Sequence, residues 1–336
     1  MARAFIVGCA GTALTDDERV FIREADPWGL ILFKRNVLDR DQLRALTASF
    51  RECVGREAAP VLIDQEGGRV QRMGPPRWRS YPAAAALEAC LPPVEAEAAA
   101  RLIGRLIAHD LREVGITVDC APVLDVAEPG THAVVGSRAF SQLPERVAAM
   151  GRAFADGLVA GGVAPVIKHM PGHGRTRADS HHELPIVEAP RAELQRDFAP
   201  FMALRDLPMA MTAHLVYTDI DPRRPATASP IVVRDIMRGE IGFEGLIMSD
   251  DVSMKALGGD FDERTQRILA AGIDMVLHCN GDLDEARAVA SAAPELSGAS
   301  LNRAEASLQS IRDPQPLDME EATAKFDAIL SALATA

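Results

Sequence analysis

Eight short apolar runs, alternating with segments of helical spacing over one unbroken composition, predict an α/β protein: a single (β/α)8 TIM barrel with an additional C-terminal helix, filling residues 1–336 as one domain. Each run is apolar on successive residues rather than on alternate ones, as a parallel strand covered on both faces requires. An open doubly wound sheet would show the same alternation, but no G-x-G-x-x-G follows the first run, where AGTAL stands instead.

In chain order, AFIVGCA (4–10) reads as a first buried strand; it is too short, and too soon followed by acids, to be the core of an export signal. GLILF (29–33) is the second strand, and RDQLRALTASFRECVGR (40–56) has the spacing of an amphipathic helix. PVLID (60–64) follows, and then an Ala-rich stretch (81–100) that Pro92-Pro93 should break into two helical pieces. VEAEAAARLIGRLIAHDLREVG (94–115) is a long helix, ITVDCAPVLDV (116–126) a strand, and PERVAAMGRAFADGLVAGG (144–162) the next helix. VAPVIKH (163–169), PMAMTAHL (208–215), GLIMSDD (245–251) and DMVLHCN (274–280) supply the remaining strands, with a helix over 230–242. The tail from 318 reads as a helix on the outside of the barrel.

Composition narrows the function. With 36 basic and 48 acidic residues the net charge is −12, which repels nucleic acid and anionic membranes. No run approaches the length of a membrane span. Five cysteines, none in a C-x-x-C pair, fit a reducing, cytoplasmic compartment better than a disulfide framework or a structural zinc site.

Polar residues gather where the apolar runs stop: Asp64, Asp125, Lys168-His169, His214, Asp250-Asp251 and His278. One Asp after a strand is as often a helix cap as a catalyst. A charged or imidazole group after so many strands points to one rim, the C-terminal face where barrels build their sites. The stretch KHMPGHGRTRADSHHELP (168–185) holds four of the eight histidines in a loop far longer than ordinary βα connections. Their spacing does not suit a metal site, and no G-x-S-x-G elbow supports a serine hydrolase. Asp179 and His181 can instead form a pair in which a carboxylate orients an imidazole. Met170-Pro171 is a candidate cis bond.

KHMPGHG and DSHHELP, with MSDDVSM downstream and IDQEGGRVQR upstream, resemble the β-N-acetylhexosaminidases of glycoside hydrolase family 3. GLILFKRN (29–36), APVLDV (121–126), GSRAF (136–140) and AAGIDMVLHCN (270–280) extend the resemblance over nearly the whole chain. It implies a (β/α)8 barrel that removes terminal β-linked N-acetylglucosamine with retention, and no metal or cofactor. The compact bacterial members act in the cytoplasm on N-acetylglucosaminyl-anhydromuramoyl peptides, so a small muropeptide is the implied partner, and neither nucleic acid nor membrane. A monomer is expected, with a dimer left open.

Carried onto this chain, the resemblance makes Asp250 the nucleophile, His181 the general acid/base and Asp179 its partner. Asp64, Arg72, Arg138, Lys168 and His169 become the residues that hold the sugar. Met170 and Arg175 depart from the family pattern, which often has an aromatic and an acidic residue there, and they bear on loop packing and aglycone preference. Chain reversal across Gly67-Gly68 would bring Asp64 and Arg72 to one sugar, with the glycines admitting the ligand close to the backbone. Few aromatics suit a pocket for one terminal sugar. A β-glucosidase, a glycoside phosphorylase, a non-catalytic sugar-binding barrel and a metal-dependent amidohydrolase are the competing readings.

Overall fold

The computed structural model describes residues 1–128, 135–176, 184–254 and 257–335. Eight parallel strands close into a barrel in sequence order: β1 Arg3–Gly8, β2 Pro27–Leu32, β3 Val61–Ile63, β4 Val118–Asp119, β5 Ala164–Met170, β6 Met209–Thr212, β7 Leu246–Asp251 and β8 Met275–His278, which pairs back onto β1. The barrel is the one predicted.

Residue parity explains why every strand reads as continuously apolar. Ile6, Ile31, Leu62, Val166, Met211, Leu246, Met248 and Leu277 belong to the core inside the barrel. Their neighbours Phe5, Val7, Leu30, Leu32, Val61, Ile63, Ile167 and Ile247 belong to a second core between barrel and helices. Each side chain of this kind contributes roughly 1.5–3 kcal/mol on full burial. A strand facing two cores can therefore spare no polar position until it reaches its end.

The α-helices are α1 Asp16–Ala25, α2 Arg40–Val54, α3 Ala84–Cys90, α4 Pro93–Arg112, α5 Pro144–Ala160, α6 Gln195–Ala203, α7 Phe261–Ala270, α8 Leu283–Ala292, α9 Gly298–Leu308 and α10 Met319–Thr335, of which α2, α3, α4, α5 and α10 fall on the segments read as helical. Segment 232–240 is helical too, but wound as a π-helix. Thr15 closes a capping box on α1, and Gly55 ends α2 at a left-handed φ of 63°. The Ala-rich stretch breaks at Pro92-Pro93 as expected, and α10 packs on α3 and α4, with Phe326 edge-on to Tyr81. Helix α6 begins at Gln195, after a turn over 191–194. Among the described residues no helix is long and apolar enough to cross a membrane.

The β3 run continues into a short hairpin, Gln65–Gly67 against Val70–Gln71. Gly67 and Gly68 take φ of 98° and 57°, and a Cβ on them would meet Pro82 O at 2.5 Å and Ala83 Cβ at 2.8 Å. These glycines thus let the hairpin lie against segment 81–83, which corrects the expectation that they make room for a ligand.

Candidate active site

Continuing the inward parity one step past the apolar runs gives the site. Leu62 leads to Asp64, Val166 to Lys168, Met248 to Asp250 and Leu277 to Cys279, all inward, and all four line one cavity of about 320 Å3 at the barrel mouth. Ile31, Met211 and Leu277 also contribute to its lining, with Phe33, Arg69, Arg72, Arg138, His169, Asp251 and Met254. Asp64, Arg72, Arg138, Lys168, His169 and Asp250, predicted as site residues, therefore share one space. Asp179 and His181 lie outside the described residues.

Most of the wall is an ionic network. Lys168 Nζ, on a side chain only 2% exposed, lies 2.7 Å from Asp64 Oδ1 and 2.6 Å from Glu66 Oε1. Arg72 donates to Asp64 Oδ2 at 2.9 Å, so the chain reversal does bring the two together. Arg138 grips Glu66 with two bonds, 2.8 and 2.7 Å. Burial alone would raise both carboxyls, but Lys168 and Arg72 hold Asp64 well below its usual range, and Arg138 and Lys168 bring Glu66 down to about 2. Burial likewise works against the charge on Lys168, and Asp64 and Glu66 overcome it, lifting its pKa. Five charged side chains fix one another, so the surface they present is preorganised. Glu66 was missed in the sequence; it stands two residues from Asp64 in extended chain and so on the same side, a signal masked by the adjacent glycines.

Asp250 has a different environment. Burial raises its carboxyl, and His214, His169, the Asp251 N–H and Lys168 outweigh that and lower it. Burial also pushes His214 below its ordinary value, and Lys168 adds a permanent positive charge to the groups acting on Asp250. Asp250 Oδ1 accepts the Asp251 N–H at 2.8 Å, and among the described residues no cation pairs with the carboxylate. Asp251 turns to other work: its carboxylate accepts from the backbone N–H groups of Ser253 and Cys279 and from the Ser253 hydroxyl, tying the end of β7 to the chain after β8.

Three strand-end residues stand back from the cavity. Asp125 is fully buried behind His169, 2.7 Å from its Nδ1. His214 donates Nε2–H to the Asp251 carbonyl at 3.0 Å. His278 is contrary to expectation: it lies between inward Leu277 and Cys279, so it points outward, with Nε2 3.2 Å from Glu285 on α8. Met170-Pro171 is cis, as anticipated. Met170 is buried at the end of β5, and Arg175 lies among Asp197, Glu128 and Glu193 at 2.6, 3.1 and 3.4 Å.

The arrangement combines a partly buried, ionised carboxylate with a rigid array of donors and acceptors for hydroxyl groups, in a space the size of a small ligand. Comparison with known proteins agrees with that chemistry. The model of the glycosyl hydrolase family 3 N-terminal domain matches residues 8–311. A β-hexosaminidase from Methylococcus capsulatus is 43% identical over 278 residues, 80% of each chain, and one from Bordetella avium 40% over 282, covering 82% of this chain and 80% of that one. Native NagZ from Neisseria gonorrhoeae superposes with a TM-score of 0.84 at 33% identity, over 99% of this chain and 96% of the other.

Proposed function

We propose that this chain, which belongs to glycosyl hydrolase family 3 and is a glycoside hydrolase of its β-hexosaminidase group, is a retaining exo-β-N-acetylglucosaminidase. Its substrates are peptidoglycan fragments of the N-acetylglucosaminyl-anhydromuramoyl-peptide type. Residues 1–336 act as one catalytic domain, a cytoplasmic monomer that uses neither metal nor cofactor. The observation that carries the reading is the partly buried, ionised Asp250 on the wall of a cavity of about 320 Å3 that also holds Asp64, Arg72, Arg138, Lys168 and His169.

Retention requires an anionic nucleophile at the anomeric carbon and a proton donor at the leaving oxygen. Asp250 Oδ1 is engaged by the Asp251 N–H, which supports Oδ2 as the attacking atom. As Oδ2 bonds to the anomeric carbon, the glycosidic C–O bond breaks and His181 delivers its proton to the departing oxygen. Water then attacks the same carbon, gives a proton to His181, and the ester to Asp250 breaks. Asp179 fixes the tautomer of His181, whose ordinary pKa of about 6.5 suits both steps. Asp64, Arg72, Arg138, Lys168 and His169 hold the sugar hydroxyls throughout.

The test compares nitrophenyl β-N-acetylglucosaminide with nitrophenyl β-glucoside, each with and without inorganic phosphate, followed by a defined muropeptide. Preferential hydrolysis of the acetamido sugar, free N-acetylglucosamine as product with phosphate present, and turnover of the muropeptide are expected. Preference for the glucoside, or a glycosyl phosphate as product, would overturn the reading.

A further inference from the structure

Asp125 has no part in this scheme, yet it is among the best-partnered carboxylates in the chain. It is fully buried in the segment after β4 and makes three contacts. Oδ1 accepts the backbone N–H of His173 at 2.7 Å and that of His169 at 3.2 Å, and Oδ2 lies 2.7 Å from His169 Nδ1. An ionised carboxylate can only accept, so Nδ1 of His169 must carry the proton. Neutral imidazole then has one tautomer open to it, with Nε2 unprotonated. His169 lines the cavity, and no described residue bonds its Nε2.

We propose that Asp125 is a positioning residue that locks His169 as the Nδ1–H tautomer, so that Nε2 enters the cavity as a hydrogen-bond acceptor and the site takes a sugar hydroxyl that donates to it. This rests on the reading of His169 as a sugar contact. The rest of the cavity makes the polarity matter. Arg72, Arg138 and Lys168 are donors only, so hydroxyls that accept from them keep a proton to place elsewhere. Asp64 and Glu66 already spend part of their acceptor capacity on those same cations. An acceptor at His169 completes the set, whereas a donor there would oppose the hydroxyl.

Asp125→Asn separates this role from simple support of the fold. Its amide oxygen can still accept the two backbone N–H groups, while its NH2 can only donate to Nδ1, which forces His169 into the Nε2–H tautomer. Two-bond 1H–15N spectra of 15N-histidine protein, with His169 assigned through a His169→Gln variant, read the ring directly and without substrate. The expected wild-type ring has a protonated Nδ1 and a bare Nε2, and Asp125→Asn reverses them. A wild-type ring protonated at Nε2, alone or together with Nδ1, overturns the proposal whether or not the variant folds.

On N-acetylglucosaminides, Asp125→Asn should lower kcat/KM by about 10- to 100-fold, chiefly through KM, as expected when a buried pair becomes mismatched. Glycosides lacking the 3-, 4- or 6-hydroxyl identify the partner: for one of them the penalty seen in wild type should largely vanish in the variant. A reversed ring with every deoxy penalty unchanged overturns the sugar-recognition role of Asp125, even if wild type remains an active N-acetylglucosaminidase. Failure of wild type on all N-acetylglucosaminides, with the ring as expected, instead condemns the proposed function.

Discussion

Two carboxylates line the same cavity and are treated in opposite ways. Asp64 is held by Lys168 at 2.7 Å and Arg72 at 2.9 Å, within a network that extends through Glu66 to Arg138. Asp250 is likewise partly buried on the cavity wall but receives one backbone N–H and no paired cation among the described residues. A carboxylate neutralised by direct ion pairs is a good fixed acceptor and a poor nucleophile, because attack would have to break those pairs. One kept ionised by a more distant charge retains its electron density for bond formation. The difference supports the proposal that Asp64 holds the substrate and Asp250 reacts with it.

Removing the reacting group should have the largest effect. Asp250→Asn keeps size and the Asp251 contact but loses the charge, and kcat/KM should fall by about 10,000-fold or more on every substrate, activated leaving groups included. Asp64→Asn should cost far less with activated aryl glycosides; equal losses at both positions would erase the contrast.

Lys168→Met comes next and should act on stability as well as turnover. It leaves Asp64 and Glu66 buried with one fewer counter-charge each, which costs about 3–5 kcal/mol in urea unfolding, as breaking buried pairs does. A loss confined to activity would show that the network serves the ligand and not the fold.

His181→Ala is expected to split substrates. Natural sugar leaving groups need the proton, and their cleavage should drop by roughly 100- to 10,000-fold, while dinitrophenyl glycosides are largely spared. A burst of phenol and rescue by azide should accompany the variant, and uniform slowing of all leaving groups would remove the acid/base assignment.

A smaller effect lies in the pH dependence. Burial lowers His173 from 6.5 to about 4, against the opposing charge of Asp125. Between those values the unfolded chain binds the proton more readily than the native one, so stability is complete above about pH 6.5 and declines as pH falls toward 4. Chemical denaturation across that range should show the slope, and His173→Gln should flatten it. Arg138→Lys is the mildest change, keeping the charge but not the two-bond grip on Glu66, and should cost about 3- to 10-fold in kcat/KM.

The barrel was legible because a strand facing two cores must be apolar on both, and Leu62, Val61 and Ile63 announce that without ambiguity. The 116–126 run was read as one strand, whereas regular pairing covers Val118–Asp119 and resumes irregularly when Leu124 N–H donates to the Lys168 carbonyl at 2.7 Å. A local apolar pattern cannot register where the ladder slips. Within the site, charged residues at strand ends were visible as a group, but which of them enter the cavity depends on parity. Counting in twos from Leu277 would have put Cys279 inside and His278 outside; counting from Asp64 would have found Glu66. The pairing of His169 with Asp125 was not legible, since a separation of 44 residues is bridged only by barrel closure.

The most direct test of the account is to identify the residue that bears the sugar. His181→Ala protein, mixed with dinitrophenyl β-N-acetylglucosaminide and quenched in acid during the burst, should gain the mass of one N-acetylhexosaminyl group. Peptide mapping should then place that group on Asp250. Label on Asp64, Asp251 or any other residue, or a phenol burst with no covalent adduct, would contradict the assignment of Asp250 as the reacting carboxylate.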